Sequence, residues 1–256
     1  AAVNIATAPV GQLIPPTTAF IVFSAAGGGA SVAALFMGGW IPGLLWAACC
    51  MVVAFFYARK QGYVIKRDKL TAKIVGKTIW DAIPSLFLVV IIIGGILSGK
   101  FTPTEASGVA VAYAFILSVF IYRTIKLSEI PKLLVDAAVM TTIVMLIIGA
   151  SSVLSFVMSF TGLPAAISKL VLGISSNKYV ILLILNIFLL IVGTFMDMAP
   201  ALLIFTPIFL PIVQSFGMSP IHFGVMMVMN LSVGTITPPV GNVLFVGCSV
   251  AKLRVE

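Results

Sequence analysis

The chain has 256 residues; 61% are hydrophobic, 9% are charged, and mean hydropathy is +1.23. Soluble domains carry about 25% charged residues. So 15 basic and 7 acidic side chains exclude a soluble enzyme, a disordered chain and a fibrous repeat, and leave a membrane protein with several spans. The net charge of +8 does not point to nucleic acid, because the basic residues cluster beside long apolar runs, from Arg59 to Lys77 and again at Arg123, Lys126 and Lys132. That is the positive-inside pattern of short cytoplasmic loops.

The first residues, Ala1 to Pro9, carry no charged leader and no initiator Met. The expectation is an internal piece of a longer chain, without a signal peptide. Gly11-Gln-Leu-Ile-Pro15-Pro16-Thr17 then interrupts an apolar segment. Leu35 to Ala58 is the clearest span and ends at Arg59-Lys60. It holds Cys49 and Cys50, read as small buried hydrophobes; with Cys248 they show no metal-site spacing. Asp68 to Trp80 alternates basic and apolar residues, which predicts an amphipathic helix on the cytoplasmic surface. Ile83 to Gly99 is a second span and Ala106 to Tyr122 a third. Between them Thr102, Pro103 and Glu105 fit a helix start, so Glu105 reads as a cap.

Leu133 to Phe160 is apolar but interrupted by Gly149-Ala-Ser-Ser152. It reads either as one long span or as a re-entrant hairpin with its tip at those small residues. A short amphipathic piece, Pro164 to Gly173, follows. Tyr179 to Phe195 is a span with a break expected at Gly193-Thr194, closed by Asp197. Asp197 is either functional or a cap for the helix near Pro200, since a mid-bilayer Asp costs about 2.5–3.5 kcal/mol. Pro200 to Val213 is apolar with prolines inside. Ile221 to Val250 is broken by Gly234-Thr-Ile-Thr-Pro238-Pro239-Val-Gly241. His222 reads as a surface residue, and Asn186 and Asn230 as interhelical packing residues.

The last break carries the chemistry. Two prolines remove two N–H donors and the glycines relax φ. In hydrocarbon each unpaired backbone group costs several kcal/mol. Free carbonyls at a helix C-terminus suit a cation, and free N–H groups at the next N-terminus suit an anion. Thr235 and Thr237 add hydroxyl oxygens. The alternative is a proline kink between two short helices. Gly11 to Thr17 repeats the pattern at an offset of 223 positions, with Gly, Pro and Pro identical. Paired interrupted segments in two halves of a chain point to a transporter's midplane site. No phosphate loop, paired catalytic carboxylates or nucleophilic triad supports an enzyme.

Several motifs resemble one family. Asn230-Leu-Ser-Val-Gly-Thr-Ile-Thr-Pro-Pro-Val-Gly241 resembles a signature of the large permease subunit of TRAP (tripartite ATP-independent periplasmic) transporters. Gly11 to Thr17, Trp40-Ile-Pro-Gly43, Phe101-Thr-Pro-Thr-Glu-Ala106 and Gly193 to Pro200 fit the same family in the same order. The resemblance covers the whole chain and about the C-terminal 60% of that subunit, without its tail. It implies an all-α, inverted-repeat, elevator-type transporter with broken helices and re-entrant hairpins, in the bacterial inner membrane. It implies that 1–34 end the first repeat, 35–135 are scaffold helices with the amphipathic helix at 68–80, and 136–256 form the second repeat. Sodium is the implied coupling ion, at Gly11, Gln12, Gly149, Ser151, Ser152, Gly234, Thr235, Thr237 and Pro238. The implied substrate residues are Pro16, Thr17, Ser151, Ser152, Asp197 and Thr237; at Thr17 family members often have Ser. The implied partners are a small TRAP membrane subunit, a periplasmic substrate-binding protein, the rest of the large subunit and the lipid bilayer. The implied substrate is an organic acid, sialic acid first (Gly247 to Ala251 resembles that type) and a C4-dicarboxylate next. The competing readings are a stand-alone sodium/dicarboxylate or arsenite-type permease, and a non-transporting membrane scaffold.

Overall fold

A backbone in hydrocarbon must pair its N–H and C=O groups within its own segment, and only helices and closed barrels manage this. The computed structural model describes residues 2–27, 29–62, 71–162 and 177–251, with 166, 169 and 173. Every regular element among them is helical. Six helices are long and apolar enough to cross a membrane. Ala2–Leu13 with Thr18–Ala26, bent by 48°, adds a seventh if counted as one broken span. The protein is an all-α polytopic membrane protein.

The helices are α1 (Ala2–Thr7), α2 (Val10–Leu13), α3 (Thr18–Ala26), α4 (Val32–Lys60), α5 (Ala72–Leu97) and α6 (Pro103–Ile116). They continue as α7 (Ile130–Thr161), α8 (Lys178–Phe195), α9 (Met198–Ser215), α10 (Pro220–Thr235) and α11 (Asn242–Ala251). They fall into two compact units, Ala1–Ala54 with Val144–Glu256, and Phe55–Ile143.

The first unit is built on large apolar side chains that are fully buried, among them Phe20, Phe23, Phe36, Phe223 and Leu202. Phe23 of α3 meets Phe223 of α10 edge-on at 6.2 Å. The start of α4 packs onto this core through small residues. A Cβ on Gly39 would overlap the Leu13 carbonyl and the Phe20 ring, and one on Gly43 would lie 2.6 Å from Ile14. Such small residues let backbones approach where apolar burial gives no net drive between helices. Trp46 and Cys50 of α4 both reach the Ala6 carbonyl, at 3.0 and 3.6 Å. That carbonyl lies where α1 ends before Pro9, so the indole supplies a donor the interrupted helix lacks.

The second unit centres on the α5–α6 hairpin. Gly99 turns at φ +71, and Lys100 and Phe101 both donate to the Gly95 carbonyl at 3.1 Å. Thr102 then caps α6 in a full capping box with Glu105, Pro103 standing at the first helical position, as the sequence predicts. Pro84 sits inside α5 and withdraws one helical donor. Two α6-side tyrosines serve carbonyls around it: Tyr113 donates to Pro84 O at 2.9 Å and Tyr122 to Asp81 O at 3.1 Å.

Two sequence expectations are corrected and one open alternative is decided in favour of a single long span. Residues 72–80 form no separate surface helix; they are the first turns of α5, continuous with the span, and 63–70 lie outside the described residues. The Gly149–Ser152 stretch makes no hairpin tip, because α7 runs unbroken through it. Glycine and serine weaken a helix but still keep their N–H donors, unlike proline. For the same reason Gly193 and Thr194 do not break α8. The amphipathic piece expected at 164–173 falls almost wholly outside the described residues.

The glycine contacts make a direct test. Gly39→Ala is expected to lower stability by about 1–3 kcal/mol through overpacking. Gly76→Ala, where nothing stands within 4 Å, should hold or raise it. Thermal melting in detergent reads both; equal melting of the two variants refutes the close α4 packing.

Candidate functional site

α8 and α10 run side by side in the same direction, Asn186 against Asn230 and Gly193 against Gly234. The glycines cross backbone to backbone. A Cβ on Gly234 would stand 2.5 Å from the Gly193 backbone, and one on Gly193 would stand 3.1 Å from Leu231 O. Two helix C-termini therefore end together, and their carbonyl ends carry partial negative charge.

The chain after α10 folds back across these ends. Ile236 closes the helix and the Pro238-Pro239 bond is cis. Gly241 then turns at φ +53. Its N–H donates to Thr194 O at 3.0 Å. The position its Cβ would occupy lies 2.8 Å from Thr237 O and 3.1 Å from Thr235 O. Three carbonyl oxygens thus gather around one residue that has no side chain.

Hydroxyls complete the surroundings. Thr194 donates to Ile191 O at 2.7 Å, Thr235 to Ser232 O at 2.8 Å, and Thr237 to Val233 O at 2.6 Å. Each has its proton engaged with its own helix and keeps acceptor lone pairs. Thr194, Ser232 and Thr235 are buried. Among the described residues no group of three His, Cys, Asp or Glu stands ready for a metal. The donors here are hard, neutral oxygens, of the kind that hold hard cations, with no thiolate or imidazole for a softer metal.

The other break crosses this one in the opposite sense. Phe23 lies against Phe223, Gln12 against Ser232, and Ile5 against Gly247. α2 ends at Leu13, Ile14 is extended, and Pro15-Pro16 is again cis. Thr17 caps α3, its hydroxyl accepting from Ala19 N at 3.2 Å. Ser232 Oγ sits 2.9 Å from Gln12 Oε1 and 2.7 Å from Val228 O. One hydroxyl proton is shared by two acceptors, so Gln12 ties the first break to the helix that leads into the second.

A polar rung lies further back. Asn230 donates to Asn186 O and Oδ1 at 3.0 and 2.7 Å, so these residues join α8 to α10 as the sequence expected. Asn230 Oδ1 is buried and accepts no hydrogen bond.

The structure therefore brings together Gln12, Gly234, Thr235 and Thr237 of the sequence-derived set, with Pro16, Thr17 and Pro238 at the breaks themselves. Gly11 is exposed and sits inside α2. Gly149 and Ser152 are exposed on unbroken α7, and Ser152 donates to Ile148 O at 2.8 Å within that helix. Ser151 lies on the same helix. Asp197 precedes α9 but makes no cap bond; it accepts from Asn242 Nδ2 at 3.3 Å on an exposed face. His222 is exposed in the first turn of α10. Sequence reasoning missed Thr194, Ser232 and Gly241 as contributors. The Gly193/Gly234 pair was the available signal, since two small residues late in apolar helices permit a close crossing.

Comparisons with known proteins agree on one family. The profile described as "Tripartite ATP-independent periplasmic transporter, DctM component" matches residues 1–256. The C4-dicarboxylate TRAP transporter large permease protein DctM of Pseudomonas aeruginosa is 41% identical over 246 residues, 95% of this chain and 56% of that protein. The sialic acid TRAP transporter large permease protein SiaM of Vibrio cholerae is 37% identical over 237 residues, 93% of this chain and 55% of that protein. The isethionate TRAP transporter permease protein DctMQ of Oleidesulfovibrio alaskensis is 37% identical over 256 residues, 100% of this chain and 40% of that protein. The chain thus spans about half the length of the relatives it matches.

The crossing can be tested by adding one methyl group. Gly234→Ala places a Cβ against backbone that cannot swing aside, and is expected to cost about 1–3 kcal/mol. Gly108→Ala, in open space on α6, serves as the neutral control. Both are read as detergent melting midpoints, and an unshifted Gly234→Ala midpoint would remove the backbone-to-backbone crossing.

Proposed function

The chain belongs to the DctM family of TRAP large permeases, a multi-pass protein of the bacterial inner membrane, and from that premise we propose that it carries an organic acid inward with sodium. The observation that supports this best is the meeting of the Thr194, Thr235 and Thr237 carbonyls at Gly241, a cradle for a small cation. Thr237, Thr235, Gly234 and Pro238 shape it, and Gln12 links it to the opposite break. The sodium roles expected for Gly149, Ser151 and Ser152 require α7 to unwind, and the weight of the proposal rests on the second break instead.

The substrate's acid group belongs at the other kind of helix end. α3 and α11 begin at the two breaks, and their first N–H groups present partial positive charge. Pro16 and Thr17 lead into α3, and Thr237 stands at the entry to the loop before α11. Asp197 is a carboxylate and repels an acid group. It is better suited to a substrate hydroxyl or to sodium. A small membrane subunit and a periplasmic binding protein complete the proposed transporter. The antiparallel crossing of the breaks supports an inverted repeat, and an elevator movement of the unit that holds them. The matched relatives are named for different organic anions, so the substrate class is an organic acid, with sialic acid first and a C4-dicarboxylate second.

The test is uptake by the full-length permease, reconstituted with its small subunit and binding protein. Thr237→Ala is expected to raise the half-saturating sodium concentration about tenfold, the value of one lost oxygen contact. Thr237→Ser should restore it. Unchanged sodium affinity in both Thr237→Ala and Gly241→Ala, the second placing a methyl among the three carbonyls, falsifies the cation site. Labelled sialic acid and succinate, each with and without sodium, separate the substrates; uptake that ignores sodium favours a different coupling.

A further inference from the structure

At the end of the α5–α6 hairpin opposite its Gly99 turn, we propose a binding site for the phosphate of an anionic phospholipid, held by Arg123 and Lys77. Tyr122 ties the end of the α6 segment to the beginning of α5, which puts both basic residues at the same end of the hairpin. Its hydroxyl reaches Asp81 O and Ser85 Oγ, both at 3.1 Å. Arg123 follows Tyr122 directly, and Lys77 stands one helical turn before Asp81.

Arg123 is the one non-glycine residue with positive φ among the described residues, at +51. It closes the π-type turn Leu117–Ile121, beyond which Thr124 N returns to Ser118 O at 2.9 Å. This is a helix-end position where glycine is free of strain and a side chain costs about 1 kcal/mol. An arginine held there marks a use for its side chain. Arg123 and Lys77 are exposed, and among the described residues no carboxylate pairs with either.

The level in the membrane fits. The span Ile74–Leu97 has 24 residues and reaches about 36 Å against a hydrocarbon core of about 30 Å. The Lys77 end therefore lies at the headgroups. Trp80 is 75% exposed and Tyr122 40%; both are aromatics of the kind that settle at that depth. The surplus of basic residues puts this end on the cytoplasmic side, where anionic lipid collects basic side chains. Guanidinium grips a phosphate with two hydrogen bonds and ammonium adds a point charge.

The experiment is native mass spectrometry of the full-length protein, released from micelles doped with phosphatidylglycerol or phosphatidylcholine. One phosphatidylglycerol is expected to stay bound in preference to phosphatidylcholine. Arg123→Gly removes the cation while relieving the turn, so it folds at least as well. It should weaken retention about fivefold, the equivalent of about 1 kcal/mol per basic side chain at a charged surface. Lys77→Gln should do the same, and Arg123→Lys should recover part of the loss. Displacement of the lipid by added inorganic phosphate would show that the phosphate group alone is recognised, and would still support the site. Equal retention of the two lipids, or unchanged retention in Arg123→Gly, overturns it. So does a carbodiimide cross-link from the Lys77 amine to a carboxylate of the small subunit, which makes the partner a protein. The proposal depends on membrane insertion alone, so failure of sodium-driven uptake leaves it standing.

Discussion

A peptide group that leaves a helix inside a bilayer has no water to turn to, and the architecture of the first unit follows from that. Its spans are broken twice, at Ile14–Thr17 and at Ile236–Gly241. Each break is surrounded by groups able to serve the freed backbone. Thr17 takes up Ala19 N, Thr194 O takes up Gly241 N, and Trp46 reaches across to Ala6 O. The glycines at 39, 43, 193 and 234 make this arrangement attainable. Gly39, Gly193 and Gly234 bring main chain against main chain, and Gly43 makes room for the Ile14 side chain.

The two breaks share a sequence pattern and a cis proline pair yet differ in what they present. The first is extended and feeds directly into a capped helix N-terminus, an electropositive end. The second curls around Gly241 and collects oxygens. Because the segments cross in opposite directions, α11 packs on α1, Gly247 against Ile5. Gly241 itself stands between the carbonyl end of α10 and the N-terminus of α11, so the second break alone presents both polarities. A cation and an anion bound there would neutralise each other's field.

The membrane-spanning character was legible in composition, since so few charges cannot coat a soluble fold, and the all-α class came with the family resemblance. The helix start at Thr102–Glu105 was legible too, because capping is local chemistry. Gly193–Thr194 was misread, and the hairpin alternative at Gly149–Ser152 fails, for one reason: small residues do not by themselves break a helix, since only proline removes the donor that continues it. Lys73 and Lys77 drew residues 72–80 toward a surface helix, although a basic first turn is also how a span meets the headgroups. Gly241, Thr194 and Ser232 stayed hidden because their roles depend on which helices run together. No periodicity within one segment reports that α8 and α10 end at the same level.

The oxygens gathered at Gly241 are amide carbonyls, ringed by alcohols whose hydrogens already point into the helices. None of these groups gains or loses a proton near neutrality. An ion drawn into that ring displaces no acid hydrogen, and its hold is set by dipoles alone. The grip would then be indifferent to acidification of the surrounding compartment.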